Sequence, residues 1–492
     1  MKPYLLNILF VVSLIWFTGC KSNSVKTTIK PNIVFIMSDD VGIGDISCYG
    51  AKMIHTPNID KLAEQGIKFN NYHTCGALCS PTRYSTVTGR YPVRTKEVGT
   101  GSSSPWDYLF IETDRITIGS LAQKMGYKTA AIGKWHLGYG AEKHIDWSGV
   151  LRPGPNDIGF DYHWGVPTNH NDRYRCFIEN DRIYGLDPNV KYEPATSTER
   201  VKGLLYERVD DQVDSMLTVK ATNFIRQNKD HPFLLYMTPC AAHTHVTPGV
   251  QFRGKSKAGQ YGDYVQELDF HVGQIMDLID ELGLIDNTIF VFTSDNGGQL
   301  HDVKNAGRGL NLANESFDVR AKARTAKTDA LNLGHKTNLD LRGHKGTPYE
   351  GGFRVPFIIR WPDKFEGGSE SARLITSADL LATLADLFNV ELPENAGDDS
   401  FSYLDELTGK KVNEPRQNAV LLSGAAYSFI EGDWKLIDFS YSVRHPQEKF
   451  ELYNIREDPG ELKDLSVTNP ETLNLMRQKL KQIINNGRSR KK

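Results

Sequence analysis

The sequence has few cysteines, little net charge and no visible internal repeat. None of its six cysteines shows a spacing typical of a zinc site, so a zinc module is not expected. The formal net charge of −2 leaves no global basic field, which argues against bulk nucleic-acid binding. An anionic ligand would therefore have to be met by a local cluster of cations.

The one long apolar run, residues 5–17, lies at the N-terminus behind Lys2. It is shorter than the roughly 20 apolar residues that a membrane-spanning helix needs. A basic start, a short apolar core and small residues before a cut are typical of a secretory signal. Cys20 follows at the position of the lipid acceptor in bacterial lipoproteins, with a plain signal peptide as the alternative. We expect an exported lipoprotein, periplasmic or on the cell surface, with residues 1–20 as its signal and 21–30 as a polar tether.

Four cysteines have no assigned role in the sequence. An exported protein can pair such residues, but free buried thiols are an equally good interpretation. The pairing therefore stays open for Cys48, Cys75, Cys176 and Cys240.

Short apolar runs alternate with amphipathic helical patterns from Pro31 onward. Helical periodicity extends over 207–228 and 264–282. This alternation predicts an α/β fold with a large, mostly parallel sheet flanked by helices. The four clearest strand candidates are Asn32–Met37, Lys128–Ile132, Phe233–Met237 and Thr288–Thr293.

The last hundred residues predict a smaller antiparallel sheet plus one helix. The helix is expected to start at Asn469-Pro470, a good N-cap and first helical residue. We therefore expect a main α/β domain over 31–395 and a C-terminal α+β subdomain over 396–492. The candidate strands are closely spaced, at Ala419–Leu422, Ser428–Glu431 and Trp434–Phe439.

Each of the four main strands runs directly into a polar cluster. In open α/β sheets, ligands bind beyond the carboxyl ends of the strands. The clusters are therefore expected to converge on one site. They are Ser38-Asp39-Asp40, Gly133-Lys134-Trp135-His136, His243-Thr244-His245 and Ser294-Asp295-Asn296.

Two of these clusters supply oxygen ligands and no thiolate. Such a set suits Ca²⁺ or Mg²⁺ rather than zinc. Helix caps and Asx turns are the structural alternative for any one pair. Two acidic pairs after two separate strands favour a metal site, formed by Asp39, Asp40, Asp295 and Asn296.

Cys79 opens the string Cys79-Ser80-Pro81-Thr82-Arg83 at the start of a predicted helix. Pro81 fits the first helical position, and the helix should continue to about Thr88. The N-terminus of a helix favours negative charge, and Arg83 can lean back toward the same point. An ordinary buried cysteine is the structural alternative.

Three blocks of the chain resemble the formylglycine-dependent sulfatases of the alkaline phosphatase superfamily. The first is Cys79-x-Pro-x-Arg with Thr88-Gly89, and the second is the string GKWHLG at 133–138. The third is LRGHKG at 341–346 followed by YEGG at 349–352. The resemblance extends from Pro31 to the string DPGE at 458–461.

The resemblance implies that a maturation enzyme oxidises Cys79 to 3-oxoalanine, or formylglycine, whose hydrate attacks the sulfur of a sulfate ester. It implies Ca²⁺ beside residue 79, and Lys134 and Lys345 on the sulfate oxygens. Arg83 would help to activate the attacking hydroxyl.

His245 would protonate the leaving alcohol, with His243 as the alternative, and His136 would act as the base that releases sulfate. Asn169 and His170 are candidate substrate ligands, with an ordinary loop as the alternative.

A sulfated oligo- or polysaccharide is the expected substrate: an algal galactan, carrageenan, ulvan or a glycosaminoglycan. Residues 159–180 are similar to galactose or galactosamine sulfatases, and the basic stretch 301–340 could hold an anionic chain. A phosphate or phosphonate monoester hydrolase and an inactive glycan-binding lipoprotein are the alternatives. Five aromatic residues could stack on sugars, although core packing is the expected use of most of them: Trp106, Trp147, Tyr162, Trp164 and Tyr174.

Overall fold

The computed structural model describes most of the chain from Lys30 onward, and no described helix has the length and apolar character to cross a membrane. The predicted signal, the tether up to residue 29, Cys20 and Trp106 lie outside the described residues. The described ranges are 30–95, 108–143, 145–196, 200–300, 317–365 (317–324 as backbone only), 367–409, 415–442 and 446–491.

Within these ranges, ten strands form one mixed sheet at the centre of the fold. The strands are β1 (Asn32–Ser38), β2 (Ile67–Phe69), β4 (Lys128–Lys134), β5 (Tyr162–Val166), β6 (Ile178–Glu179), β7 (Arg182–Ile183), β8 (Phe233–Thr238), β9 (Thr288–Ser294), β10 (Phe357–Arg360) and β11 (Ser369–Ser371). Their order is β11-β2-β10-β9-β1-β8-β4-β5-β6-β7. A separate parallel pair is formed by β3 (Tyr72–His73) and β12 (Ile375–Thr376).

The middle of the sheet is parallel. β1 lies between β8 and β9, and β4 lies between β8 and β5, all in the same direction. All seven residues of β1 are buried, and alternate side chains enter two different core clusters because both faces of the sheet are covered. The predicted fold class and the four main strands are confirmed, and the four polar clusters follow strands that end on one edge.

Helices cover both faces of this sheet. The helices of the described residues, of which α10 packs on the C-terminal sheet, are α1 (Pro57–Glu64), α2 (Cys79–Thr88), α3 (Ile118–Lys124), α4 (Val213–Asn228), α5 (Gly259–Glu281), α6 (Phe317–Asn332), α7 (Glu350–Phe353), α8 (Leu380–Leu387), α9 (Leu404–Thr408) and α10 (Pro470–Asn485). The helix predicted from 207 begins only at Val213, because Asp210–Gln212 forms a 3₁₀ turn with Asp210 in a buried ion pair to Arg175.

The C-terminal sheet is antiparallel, as expected, and has a fourth strand that the sequence did not indicate. Its strands are β13 (Asn418–Leu422), β14 (Tyr427–Glu431), β15 (Trp434–Asp438) and β16 (Phe450–Asn454). Met476 and Leu480 of α10 pack in its core, and Asn469 is the helix N-cap. The domain boundary near residue 395 stays a prediction. Cys48, Cys75, Cys176 and Cys240 are free thiols.

Candidate active site

Backbone hydrogen bonds join the tips of the central strands. The N–H of Asp39 donates to the carbonyl of Ala241 at 2.9 Å, in the loop after β8. The N–H of Asp295, after β9, donates to the carbonyl of Ser38 at 3.1 Å. These bonds bring the acidic residues after β1 and β9 together in the interior, as the strand-tip argument predicted.

Asp40 is the centre of the cluster and has a left-handed backbone with φ of 60°. Such a conformation in a non-glycine residue is uncommon and tends to occur at functional sites. One carboxylate oxygen, Oδ1, accepts from Lys345 Nζ at 2.5 Å and from Asn296 Nδ2 at 2.9 Å. Burial would raise the pKa of Asp40, but Lys345 and Lys327 hold that pKa well below its usual range.

Asp39 and Asp295 are each neutralised by a buried cation. Lys134 Nζ lies 2.9 and 2.8 Å from the two carboxylate oxygens of Asp39. Arg83 donates from Nε and Nη2 to Asp295 Oδ2 at 3.0 and 2.7 Å, and from Nη1 to the carbonyl of Lys134 at 2.7 Å. Arg83 therefore spans two strand tips and fixes both Asp295 and Lys134.

Cys79 is the first residue of α2, so Pro81 is the third helical residue and not the first as predicted. Proline is tolerated there because N–H groups of the first helical turn have no partner within the helix. The predicted end at Thr88 is confirmed, with Gly89 in the left-handed conformation as the C-cap.

The thiol of Cys79 faces the carboxylate cluster. Its Sγ lies 3.6 Å from Asp39 Oδ1 and 3.5 Å from Lys345 Nζ. Burial and the nearby Asp295 raise the pKa of this thiol to about 12. The unmodified side chain is therefore protonated at neutral pH and a poor nucleophile.

His136 follows β4 and also has a left-handed backbone, with φ of 56°. Its pKa is lowered well below the usual value by burial and by Lys134 and Arg83. Within the described part of the chain, its buried Nδ1 has no hydrogen-bond partner. The lowered pKa keeps this imidazole neutral, and its unpaired nitrogen is left for a ligand to engage.

The three histidines near the site take different positions. His243 lies with Asp39, Asp40 and Cys79 in a group whose ligand atoms are all within 4.8 Å of one another. The rings of His243 and His245 both lie edge-on to the ring of His170, with centroids 6.2 and 6.5 Å away. His170 is fully buried and donates from Nε2 to the carbonyl of His245 at 2.5 Å. A ring nitrogen of His243, the alternative candidate to His245, therefore lies close to the carboxylates of Asp39 and Asp40.

The loop at 168–172 is held by a buried ion pair. Arg208 donates to Asp172 Oδ1 at 3.0 Å and to the carbonyl of His170 at 2.5 Å. Asn169 is partly exposed, but its Oδ1 is covered and has no hydrogen-bond partner among the described residues. Asn169 thus keeps an unused acceptor, whereas His170 positions the neighbouring histidine loop.

The donor set fits a hard divalent cation. The buried carboxylates of Asp39, Asp40 and Asp295 form one connected cluster. Asn296 adds an amide oxygen, Oδ1, that has no hydrogen-bond partner in the described residues. Carboxylate and amide oxygens are the ligands that Ca²⁺ and Mg²⁺ prefer. A buried oxygen acceptor without a hydrogen bond is costly unless something else satisfies it.

Sequence reasoning missed one lysine of this cluster. Lys327 of α6 is buried and its Nζ lies 3.4 Å from Asp40 Oδ2. The sequence contains only a weak indication of this position. Ala326 and Ala330, four residues apart, mark the packed side of an otherwise polar helix, and Lys327 lies next to that side.

Core packing, the expected use of most of the candidate aromatics, is confirmed for three of them. Trp147, Trp164 and Tyr174 are at most 6% exposed and belong to the core clusters, because large rings bury most apolar area there. Tyr162 is half-buried at a distant pocket with Lys128 and Lys220.

Comparison with known proteins identifies the family of this chain. A family profile described as Sulfatase matches residues 31–390. A second profile, N-sulphoglucosamine sulphohydrolase, C-terminal, matches residues 344–490. The chain belongs to the sulfatase family and is a sulfuric ester hydrolase.

Individual relatives cover nearly all of the chain. It is 33% identical to the N-acetylgalactosamine-6-O-sulfatase of Bacteroides thetaiotaomicron, over 95% of this chain and 96% of that protein. It is 30% identical to human N-acetylgalactosamine-6-sulfatase, over 78% of this chain and 67% of that protein. A solved structure from work on glycosaminoglycan metabolism by Bacteroides thetaiotaomicron superposes with a TM-score of 0.81 and 31% identity, covering 93% of this chain and 99% of that one.

Proposed function

We propose that this enzyme removes 6-O-sulfate from N-acetylgalactosamine or galactose units of a sulfated oligo- or polysaccharide, with formylglycine at position 79 as the nucleophile. The observation that carries the proposal is the position of Cys79. Cys79 is the first residue of α2. Its side chain is buried and lies between the carboxylate of Asp39 and the ammonium of Lys345. An aldehyde hydrate formed at this residue would supply an oxygen nucleophile that the protonated thiol cannot provide.

Asp39, Asp40, Asp295 and Asn296 would hold the metal ion, and we propose Ca²⁺. The ion would add positive charge beside residue 79, where the sulfate group is to be bound. Arg83 keeps Asp295 oriented through two hydrogen bonds to one carboxylate oxygen. The other carboxylate oxygen of Asp295, Oδ1, accepts a hydrogen bond from the N–H of Asp40 at 3.2 Å. This oxygen would also bind the metal.

Lys134 and Lys345 are the proposed sulfate-binding cations. Lys134 is completely buried and Lys345 is 12% exposed, so Lys345 is the more accessible of the two to solvent. Preorganised cations aimed at developing charge are usually the largest single contribution to catalysis. Asp39 and Asp40 hold these two ammonium groups at the cluster.

His243 is our candidate for the general acid, in preference to His245. Its Nε2 lies 4.0 Å from Asp40 Oδ2, and its side chain is 13% exposed, so it can reach both the cluster and a bound sugar. General acid catalysis requires the donor within hydrogen-bond reach of the leaving oxygen. His136 would accept the proton when sulfate is released, and Asn169 would bind a sugar hydroxyl with its unused amide oxygen.

The relatives support the choice of sugar. Two proteins that are 33% and 30% identical are named as sulfatases of N-acetylgalactosamine 6-sulfate. The similarity to the named bacterial relative extends over almost the whole length of both chains. We further propose export, a lipid on Cys20 that anchors the protein to a membrane, and a dedicated maturation enzyme for residue 79.

The test is desulfation of defined oligosaccharides by the enzyme co-produced with a formylglycine-generating enzyme. We expect release of sulfate from 6-O-sulfated N-acetylgalactosamine or galactose units and at least about tenfold lower kcat/KM on the 4-O-sulfated isomers. Cys79→Ala should be inactive and folded, with Cys48→Ala as the matched control. Preference for an aryl phosphate over an aryl sulfate, or for 4-O-sulfated sugars, would contradict the proposal.

A further inference from the structure

Lys327 is a buried lysine with one weak ion pair. Its side chain is 1% exposed, and the single ion pair that it makes within the described residues is to Asp40 Oδ2, at 3.4 Å. Lys134 and Lys345 approach their carboxylates more closely, at 2.8 and 2.5 Å. An ammonium group has three donors and is costly to bury without close partners. The fold therefore places a positive charge at the cluster at a cost to stability.

The helix that carries Lys327 is otherwise polar on its outer side. In its described side chains, the buried positions are Ala326, Lys327 and Ala330, next to the ring of Tyr261. Two alanines allow α6 to approach the cluster closely, and a methionine would fill the remaining space without charge. The charge of Lys327, and not its volume, is thus the feature that needs an explanation.

The buried charges around Asp40 nearly balance without a metal ion. Arg83, Lys134, Lys345 and Lys327 face the carboxylates of Asp39, Asp40 and Asp295, which leaves one excess positive charge. A divalent cation raises the excess to three in a region of low dielectric constant. An anion with two negative charges, such as sulfate, returns it to one.

Resting on the proposed metal site, we propose that Lys327 is a positioning residue that acts through Asp40: an internal counter-cation that weakens divalent-metal binding until an anionic sulfate group is present. Lys327 and a metal ion held by Asp40 share one carboxylate and repel each other. Sulfate attracts the metal ion and offsets this repulsion, so metal and sulfate bind cooperatively. By linkage, the factor by which sulfate tightens metal binding equals the factor by which metal tightens sulfate binding.

Calorimetric titration of the metal-free protein with CaCl₂, with and without sodium sulfate, tests this directly. For the wild type we expect sulfate to tighten Ca²⁺ binding by about fivefold or more, the lower end of typical coupling. Lys327→Met should bind Ca²⁺ at least about tenfold more tightly without sulfate, because the competing charge is gone. Lys327→Arg should behave as the wild type, and so should Lys336→Met, an exposed lysine of the same segment.

The outcomes separate this inference from the proposed function. Unchanged or weaker Ca²⁺ binding by folded Lys327→Met would overturn the role of Lys327 alone. A wild-type protein that takes up no Ca²⁺ even when sulfate is present would overturn both the role of Lys327 and the proposed metal site. If Lys327→Met does not fold, Lys327→Gln keeps a polar neutral side chain and is titrated in its place. The Ca²⁺-dependent rise in melting temperature, larger in the neutral variant, is the second readout.

Discussion

Lys435 of the C-terminal sheet lies 2.8 Å from Glu350 of the main sheet domain, and both side chains are completely buried. Lys435 also lies 2.8 Å from Glu461, and Glu350 accepts from His73 Nε2 at 2.9 Å. Glu350 follows the segment that carries Lys345, and His73 precedes the segment that leads to Cys79. This buried ionic network therefore links the C-terminal sheet to two parts of the active site.

Removing the cation of this network should destabilise the whole protein. Lys435→Met leaves Glu350 and Glu461 buried without their shared partner, and we expect the free energy of unfolding to fall by about 3–5 kcal/mol. Urea denaturation measures this change. Lys479→Met, which breaks a more exposed pair with Glu431 in the same sheet, should change it by about 0–1 kcal/mol. Equal losses in the two variants would show that the network is unimportant.

The same network predicts how stability depends on acid. Burial would raise the pKa of Glu350, but Lys435, His73 and Arg354 hold it well below the ordinary 4.5. The ionised form therefore stabilises the fold above the unfolded-state pKa, and this stabilisation is lost as pH falls through the folded-state value. Burial raises the pKa of Glu461. Its contribution to stability therefore falls as pH rises through the range in which it titrates, which is the opposite of the dependence for Glu350.

We therefore expect Glu350→Gln to be less stable than the wild type at neutral pH. Its free energy of unfolding should fall less steeply on acidification below about pH 4.5 than that of the wild type. Urea denaturation across the acidic range measures both slopes. Parallel slopes would mean that Glu350 does not have a depressed pKa.

The two histidines of the His-Thr-His string should differ in their effect on chemistry. His243→Ala should lower kcat on a sugar sulfate by about 10²–10⁴-fold, the usual contribution of a general acid. The loss should be much smaller on 4-nitrophenyl sulfate, whose leaving group needs no proton. His245→Ala should show similar, smaller losses on both substrates. The reverse pattern would restore His245 as the acid.

Arg83 should not be replaceable by lysine. Its guanidinium uses Nε, Nη1 and Nη2 for Asp295 and for the carbonyl of Lys134, a fork that a lysine cannot reproduce. We expect Arg83→Lys to lower Ca²⁺ affinity or kcat/KM by about 10–100-fold, as for other residues that orient metal ligands. Arg226→Lys, at an exposed pair with Glu281, should change neither. Wild-type behaviour of Arg83→Lys would contradict the positioning role.

Much of the site was predictable because its residues follow strands that hydrophobic patterns reveal. Asp39 and Asp295 come directly after β1 and β9, and Lys134 is the last residue of β4, so strand prediction and parallel topology together place them at one edge. Lys345 was assigned by family resemblance, since no periodic pattern marks the loop that carries it.

The rest depends on geometry that local patterns do not encode. Whether His243 or His245 faces the cluster is decided by the path of a loop held by His170. Lys327 enters the site from a helix whose packing depends on α5, far from it in sequence, and Lys435 reaches Glu350 from a different sheet. Propensity and spacing are local properties, and these contacts are tertiary.

Mass spectrometry of the peptide that contains residue 79 tests the central claim most directly. Preparations made with increasing amounts of the maturation enzyme should show an increasing fraction of aldehyde at this position, with desulfation activity proportional to that fraction. Full activity in protein whose residue 79 is entirely an unmodified cysteine would contradict the account.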